Sequence, residues 1–299
     1  MPRRRPNLNG VMEQLGRIGA LVPPADPLEF PPHRTRPGFE VPLLDLEPVR
    51  WPGAYRLAPV PDIFLDWWTG HPEDPYSRGE YRSLNPATEI IGWYCGYHSH
   101  RPERWGIYVR ERAITAVAQR LHARMARKGH CDMTVGGVRQ LFFDKVWHHE
   151  YFHHVVEAAV TRLELRHGLP LYPAWHRQKQ FMRHTGQFIL EEMCANTHAI
   201  QQVSTQLLDA CDGHYRSTVA LEALMDWMRH QPQGYNAFDQ GIGPIHWIRA
   251  LRSLAGEVLP DHPELHHDFL HDVLDVAAGN GRLNRTGPAA VPFFLVDRL

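Results

Sequence analysis

The chain has 299 residues, 43% of them hydrophobic, which is enough for one large domain or two modest ones with a real core. Its 32 basic and 33 acidic residues nearly cancel, so the composition offers no general attraction to nucleic acid or to an anionic membrane. The four cysteines are scattered and form no CxxC pair, which suggests neither a disulfide framework nor a cysteine-based zinc knuckle.

The basic opening MPRRRPNLNGVMEQLGRIGALVPP is interrupted by Glu13 and Arg17 and ends in prolines, so it does not read as a signal peptide. No window reaches the roughly 18 uninterrupted apolar residues of a spanning helix, and a soluble, cytoplasmic protein is the expectation. From Leu21 to Pro61 proline is dense and neither the strand nor the helix period is sustained. Residues 1–61 are therefore expected to form an extended proline-rich arm and residues 62–299 the folded domain. EIIGWYCGYH from Glu89 and WGIYVRE from Trp105 are rich in β-formers and flank the polar SHRPER, predicting a small antiparallel hairpin. ERAITAVAQRLHARMARK has apolar and basic residues at helical spacing, and the segments after Thr134, Gly186, Tyr215, Gly243 and Glu264 also read as helices. The closing VPFFLVDRL suits a short terminal strand. The sum is an α+β fold, mainly α, with a small sheet.

WHHEYFHHVVEAAV, from Trp147, carries the densest chemistry. His149, Glu150 and His153 spell HExxH, which on a helix points two imidazoles the same way so that they can grip one Zn²⁺, with the glutamate beside it. Val146, His149, His153, Val156, Val160 and Leu163 follow steps of three and four, so both histidines fall in an apolar stripe. Burying two imidazoles without partners is costly, and a shared metal relieves that cost. His148 and His154 project from other sides and are expected at the surface or behind the metal ligands. Glu157 and Glu164 continue the flank begun by Glu150 as an acidic edge facing solvent. Glu157 is also one turn from His153, close enough to support that histidine.

A catalytic zinc needs a third protein ligand and an open position. In FILEEMCANTHAIQQV, a helix places Ile189, Glu192, Asn196, Ala199, Val203 and Leu207 on the inward stripe, whereas Glu191, His198 and Gln202 point elsewhere. Glu192 is thus the buried acid that needs a cation, and Asn196, one turn later, can hydrogen-bond the outer nitrogen of a zinc-bound histidine.

HExxH followed by a helix bearing Glu192 and Asn196 resembles the gluzincin zinc metallopeptidases, and EEMCAN is similar to the glutamate helix of the ImmA/IrrE type, intracellular bacterial proteases that cleave repressor proteins. The resemblance spans Phe142 to Leu208; Met193 and Cys194 depart from the acid-x-Ala-Asn form of those relatives. It implies a zincin-like fold, a small antiparallel sheet followed by an HExxH helix and a glutamate helix, with the sheet edge holding an extended peptide. It also implies Zn²⁺ on His149, His153 and Glu192, with Glu150 activating a zinc-bound water against a peptide bond of an intracellular protein. An oxyanion donor is expected too, and Tyr172, His176, His184, His214 and Tyr235 all remain open.

A second resemblance competes. IIGWYCGYHSHRP is similar to the core of the JAMM isopeptidases, in which Glu89, His98 and His100 would be base and ligands. That pattern requires a Ser and an Asp where this chain has Tyr108 and Glu111. His98 and His100 are otherwise expected in an exposed hairpin loop. The remaining alternatives are an interaction protein that keeps zinc without turnover and a helical binding module in which HExxH is accidental. The arm is expected to cover the cleft until a regulatory protein partner moves it.

Overall fold

The computed structural model describes residues 8–22, 91–98, 105–127, 133–185, 190–210, 214–231, 235–279, 291 and 293–296. A first helix, α1 (Leu8–Arg17), lies inside the range assigned to the extended arm and leads to Val22, whose N–H bonds the His98 carbonyl at 3.0 Å. Leu15 and Ala20 are fully buried, so this start of the chain packs on the core. The proline-rich stretch and the boundary at residue 61 lie outside the described residues, as do Glu89 and His100.

Strands β1 (Gly92–Cys95) and β2 (Gly106–Arg110) pair antiparallel, with Gly92 opposite Val109 and Cys95 opposite Gly106, as the paired β-forming runs predict. Trp93 stacks on its cross-strand partner Tyr108 at 5.2 Å, and the Arg110 guanidinium lies 5.7 Å from the Trp93 ring centre. The terminal run forms β3 (Phe293–Val296), which joins β2 in parallel, Ile107 opposite Phe293. The sheet is therefore mixed, in the order β1-β2-β3, and not wholly antiparallel. Every residue of the central strand β2 is buried.

The rest is helical: α2 (Glu111–Arg127), α3 (Val135–His167), α4 (Tyr172–Thr185), α5 (Leu190–Ala210), α6 (His214–Arg229), α7 (Pro244–Val258) and α8 (His266–Gly279), with a 3-10 turn at Tyr235–Gly241. Among the described residues the fold is α+β and mainly α, and no helix is long and apolar enough to cross a membrane.

The 33-residue α3 organises the molecule. Thr134 caps its start by accepting the Gly137 N–H at 3.1 Å. Gly168 ends it in the left-handed region, φ 69°, where its N–H closes on the Glu164 carbonyl. Between those ends α5, α2, α8 and β1 surround it, so almost every side chain from Val138 to Glu164 is buried. A helix covered on all sides has no solvent face. His148, His154, Glu157 and Glu164, expected at or near a surface, are all buried for that reason. Gly96 brings the turn after β1 against this helix: a Cβ there would sit 2.7 Å from Glu157 Oε1.

Candidate metal centre

The stripe read from the sequence is the one the fold buries: Val146, His149, Val156, Val160 and Leu163 are at most 1% exposed, and His153 is 8% exposed. α5 packs along α3 and brings Glu192 up to both imidazoles. Glu192 Oε2 is 3.2 Å from His149 Nε2 and 3.4 Å from His153 Nε2. Glu150 stands one step further back, its Oε1 3.9 Å from His149 Nε2. His149, Glu150 and His153 form a buried group whose ligand atoms all lie within 4.8 Å of one another and could hold a metal, and Glu192 Oε2 comes closer to His149 Nε2 than Glu150 Oε1 does.

What fixes the two rings lies behind them. Asn196 Nδ2 donates to the Tyr235 carbonyl at 2.8 Å, and a carbonyl can only accept, so Asn196 must turn its Oδ1 toward His149 Nδ1, 2.8 Å away. His149 then carries its proton on Nδ1, leaving an Nε2 lone pair beside the Glu192 carboxylate. Burial pushes the His149 pKa down to about 3, in keeping with a neutral ring. Its Nε2 is buried, with Glu192 Oε2 3.2 Å away. A ring lone pair facing a buried carboxylate is favourable with a cation between them, and an N, N, O donor set could hold one.

His153 is anchored differently. Its Nδ1 lies 2.5 Å from Glu191 Oε1, and that carboxylate also accepts from Trp175 Nε1 at 3.2 Å and from Lys179 Nζ at 3.0 Å on each oxygen. Burial alone would lower the His153 pKa, but Glu192 and Glu191 outweigh it and raise it to about 10. Burial would raise Glu191, yet Lys179 and His153 pull it down to about 2. Glu191 therefore faces the core, contrary to the expectation that it points elsewhere, because α5 is enclosed on both flanks at this level. His198, also expected to point away, is 2% exposed and lies beside His148, with ring centres 6.0 Å apart.

Lys145 was missed in sequence, whereas Tyr235 stood among the oxyanion candidates. Lys145, one turn before His149, is fully buried; burial lowers its pKa to about 7 against the pull of Glu150 and Glu192, and its ammonium lies 5.5 Å from the Trp227 ring centre. The Tyr235 ring stacks on His149 at 5.8 Å. Of the oxyanion candidates, Tyr172 stacks on His98 and His176 on Tyr172, while the side chains of His184 and His214 lie outside the described ones.

Glu157 serves another cluster. Its carboxylate accepts from the His98 N–H at 2.9 Å, meets His98 Nδ1 at 2.7 Å and accepts the Tyr94 hydroxyl. The second nitrogen of His98, Nε2, meets Glu164 Oε2 at 2.7 Å. With both ring nitrogens engaged by carboxylates and no exposure at all, His98 is buried rather than in an open loop. No protein-family model, no curated protein and no solved structure matches the chain.

Proposed function

We propose that the protein is a zinc-dependent metallopeptidase of zincin-like fold, holding Zn²⁺ on His149, His153 and Glu192. The reading is carried by one observation, the convergence of both Nε2 atoms on Glu192 Oε2 at 3.2 and 3.4 Å. A zinc ion held there would supply a Lewis acid for the scissile carbonyl and lower the pKa of a coordinated water toward neutrality.

The residues around it divide the remaining work. Asn196 and Glu191 keep the Nδ1 protons in place, so each histidine offers Nε2 and only Nε2. Glu150, beside the ligands but not among them, takes the proton of the attacking water on its carboxylate and delivers it to the leaving amine. A purely structural site would have no use for such a base, which favours turnover over an inert zinc-containing interaction protein. The substrate class is a peptide bond in a protein or peptide.

Elemental analysis of purified wild type beside His153→Ala tests the reading. The expected result is about one zinc per chain, lost in the variant. Glu150→Gln should keep the zinc while hydrolysis of a degenerate peptide library falls by about 10²–10⁴-fold. A folded wild type without zinc would end the metallopeptidase reading, and zinc-loaded wild type without hydrolysis would leave the inert alternative.

A further inference from the structure

The Glu191 carboxylate is shared between two elements. On one side it receives His153 Nδ1, and on the other it receives Trp175 and Lys179, both from α4. Among the described side chains of α4 only Trp175 is buried, 2% exposed, and Lys179 lies one turn further along, with its side chain 16% exposed. The start of the helix is held separately, by Glu164 Oε1 accepting the Leu171 and Tyr172 N–H groups at 2.9 and 2.8 Å. α4 also packs on α3 and α7, with Trp175 in the hydrophobic core, and the Glu191 carboxylate, itself 1% exposed, is the polar point at which Trp175 and Lys179 meet the ring of His153.

We propose that Glu191, clamped by Lys179 and Trp175, is the positioning residue for His153 and couples the docking of α4 to metal occupancy. The inference rests on the metal reading above and goes beyond it. A buried carboxylate gripped on both oxygens by an ammonium cannot swing, so the ring it holds cannot swing either. The coupling must work in both directions. Whatever α4 contributes to metal affinity, the metal returns to α4 as stability, because linked equilibria are reciprocal.

Lys179→Met keeps the aliphatic stem and removes the ammonium. Zinc affinity, measured by chelator competition, is expected to fall about 10-fold in Lys179→Met and to recover in Lys179→Arg, the pattern of a support behind a ligand. Hydrogen exchange supplies the readout that activity cannot: zinc should slow the amides of residues 176–185 in wild type and leave them unchanged in Lys179→Met. Trp175→Phe, which removes one donor of the clamp, should fall between the two. Wild type that binds zinc while Lys179→Met binds it equally well, with α4 exchange indifferent to the metal, would overturn the coupling and leave the metal site standing. Wild type that binds no zinc would overturn both.

Discussion

Asn196 does two things with one amide, and its orientation is dictated from outside the site: the Tyr235 carbonyl decides which end faces His149. Asn196→Ala should therefore weaken zinc binding by about 10–100-fold, measured by chelator competition, since the His149 tautomer loses its support. The same variant removes the Nδ2 donor to the Tyr235 carbonyl and should lower unfolding free energy by about 1–3 kcal/mol in denaturant titration. His149, His153, Glu192 and Asn196 were legible because each occupies a core position in a simple 3.6-residue period, where a polar side chain demands a reason. Glu191 and Lys145 were not legible. A stripe argument assumes one buried face, and helices enclosed on several sides bury residues that the argument sends to solvent.

For elements, the demands on α3 are testable at the glycines that bound its contacts. Gly168→Ala forces a side chain into the left-handed region and should cost about 1 kcal/mol. Gly96→Ala should cost more, about 1–3 kcal/mol, because its Cβ would press on a Glu157 carboxylate already fixed by His98 and Tyr94. Equilibrium unfolding of the two variants decides the order, and equal costs would mean that Glu157 gives way freely. The paired β-runs and the helices after Thr134 and Gly243 announced themselves through composition and turn residues. α4 did not, since YPAWHRQKQFMRHT has one buried side chain among those described and no apolar stripe to betray it. Its first turn is secured by Glu164, from the preceding helix, a contact invisible to local reading.

Across the whole molecule, His98 joins the turn after β1 to α3, and through Glu164 to the start of α4. Burial disfavours its charge, but Glu157 and Glu164 prevail and raise its pKa from 6.5 to about 9. A raised folded-state pKa means stabilisation that is fully present below about pH 6.5 and lost as pH climbs through about 9, on the order of 3 kcal/mol. Wild type should lose stability between pH 7 and 10 by more than His98→Gln does, with denaturant midpoints as the measure. Parallel losses in the two proteins would show that the carboxylates hold no proton-dependent bond to this ring. The clamp was unreadable in sequence because its members come from segments some 60 residues apart.

The parallel pairing of β2 with β3 sets the order in which the molecule can be finished. Ile107 meets Phe293, 186 positions further along the chain, so during synthesis β2 has one neighbour among the described strands, β1, while every helix from α2 to α8 is being made. Until β3 arrives, an apolar strand destined for the middle of the sheet presents a bare edge, the kind of surface on which nascent chains find each other instead of themselves. The last strand thus acts as a closing seam, shielding the sheet from neighbours as much as it adds to the core.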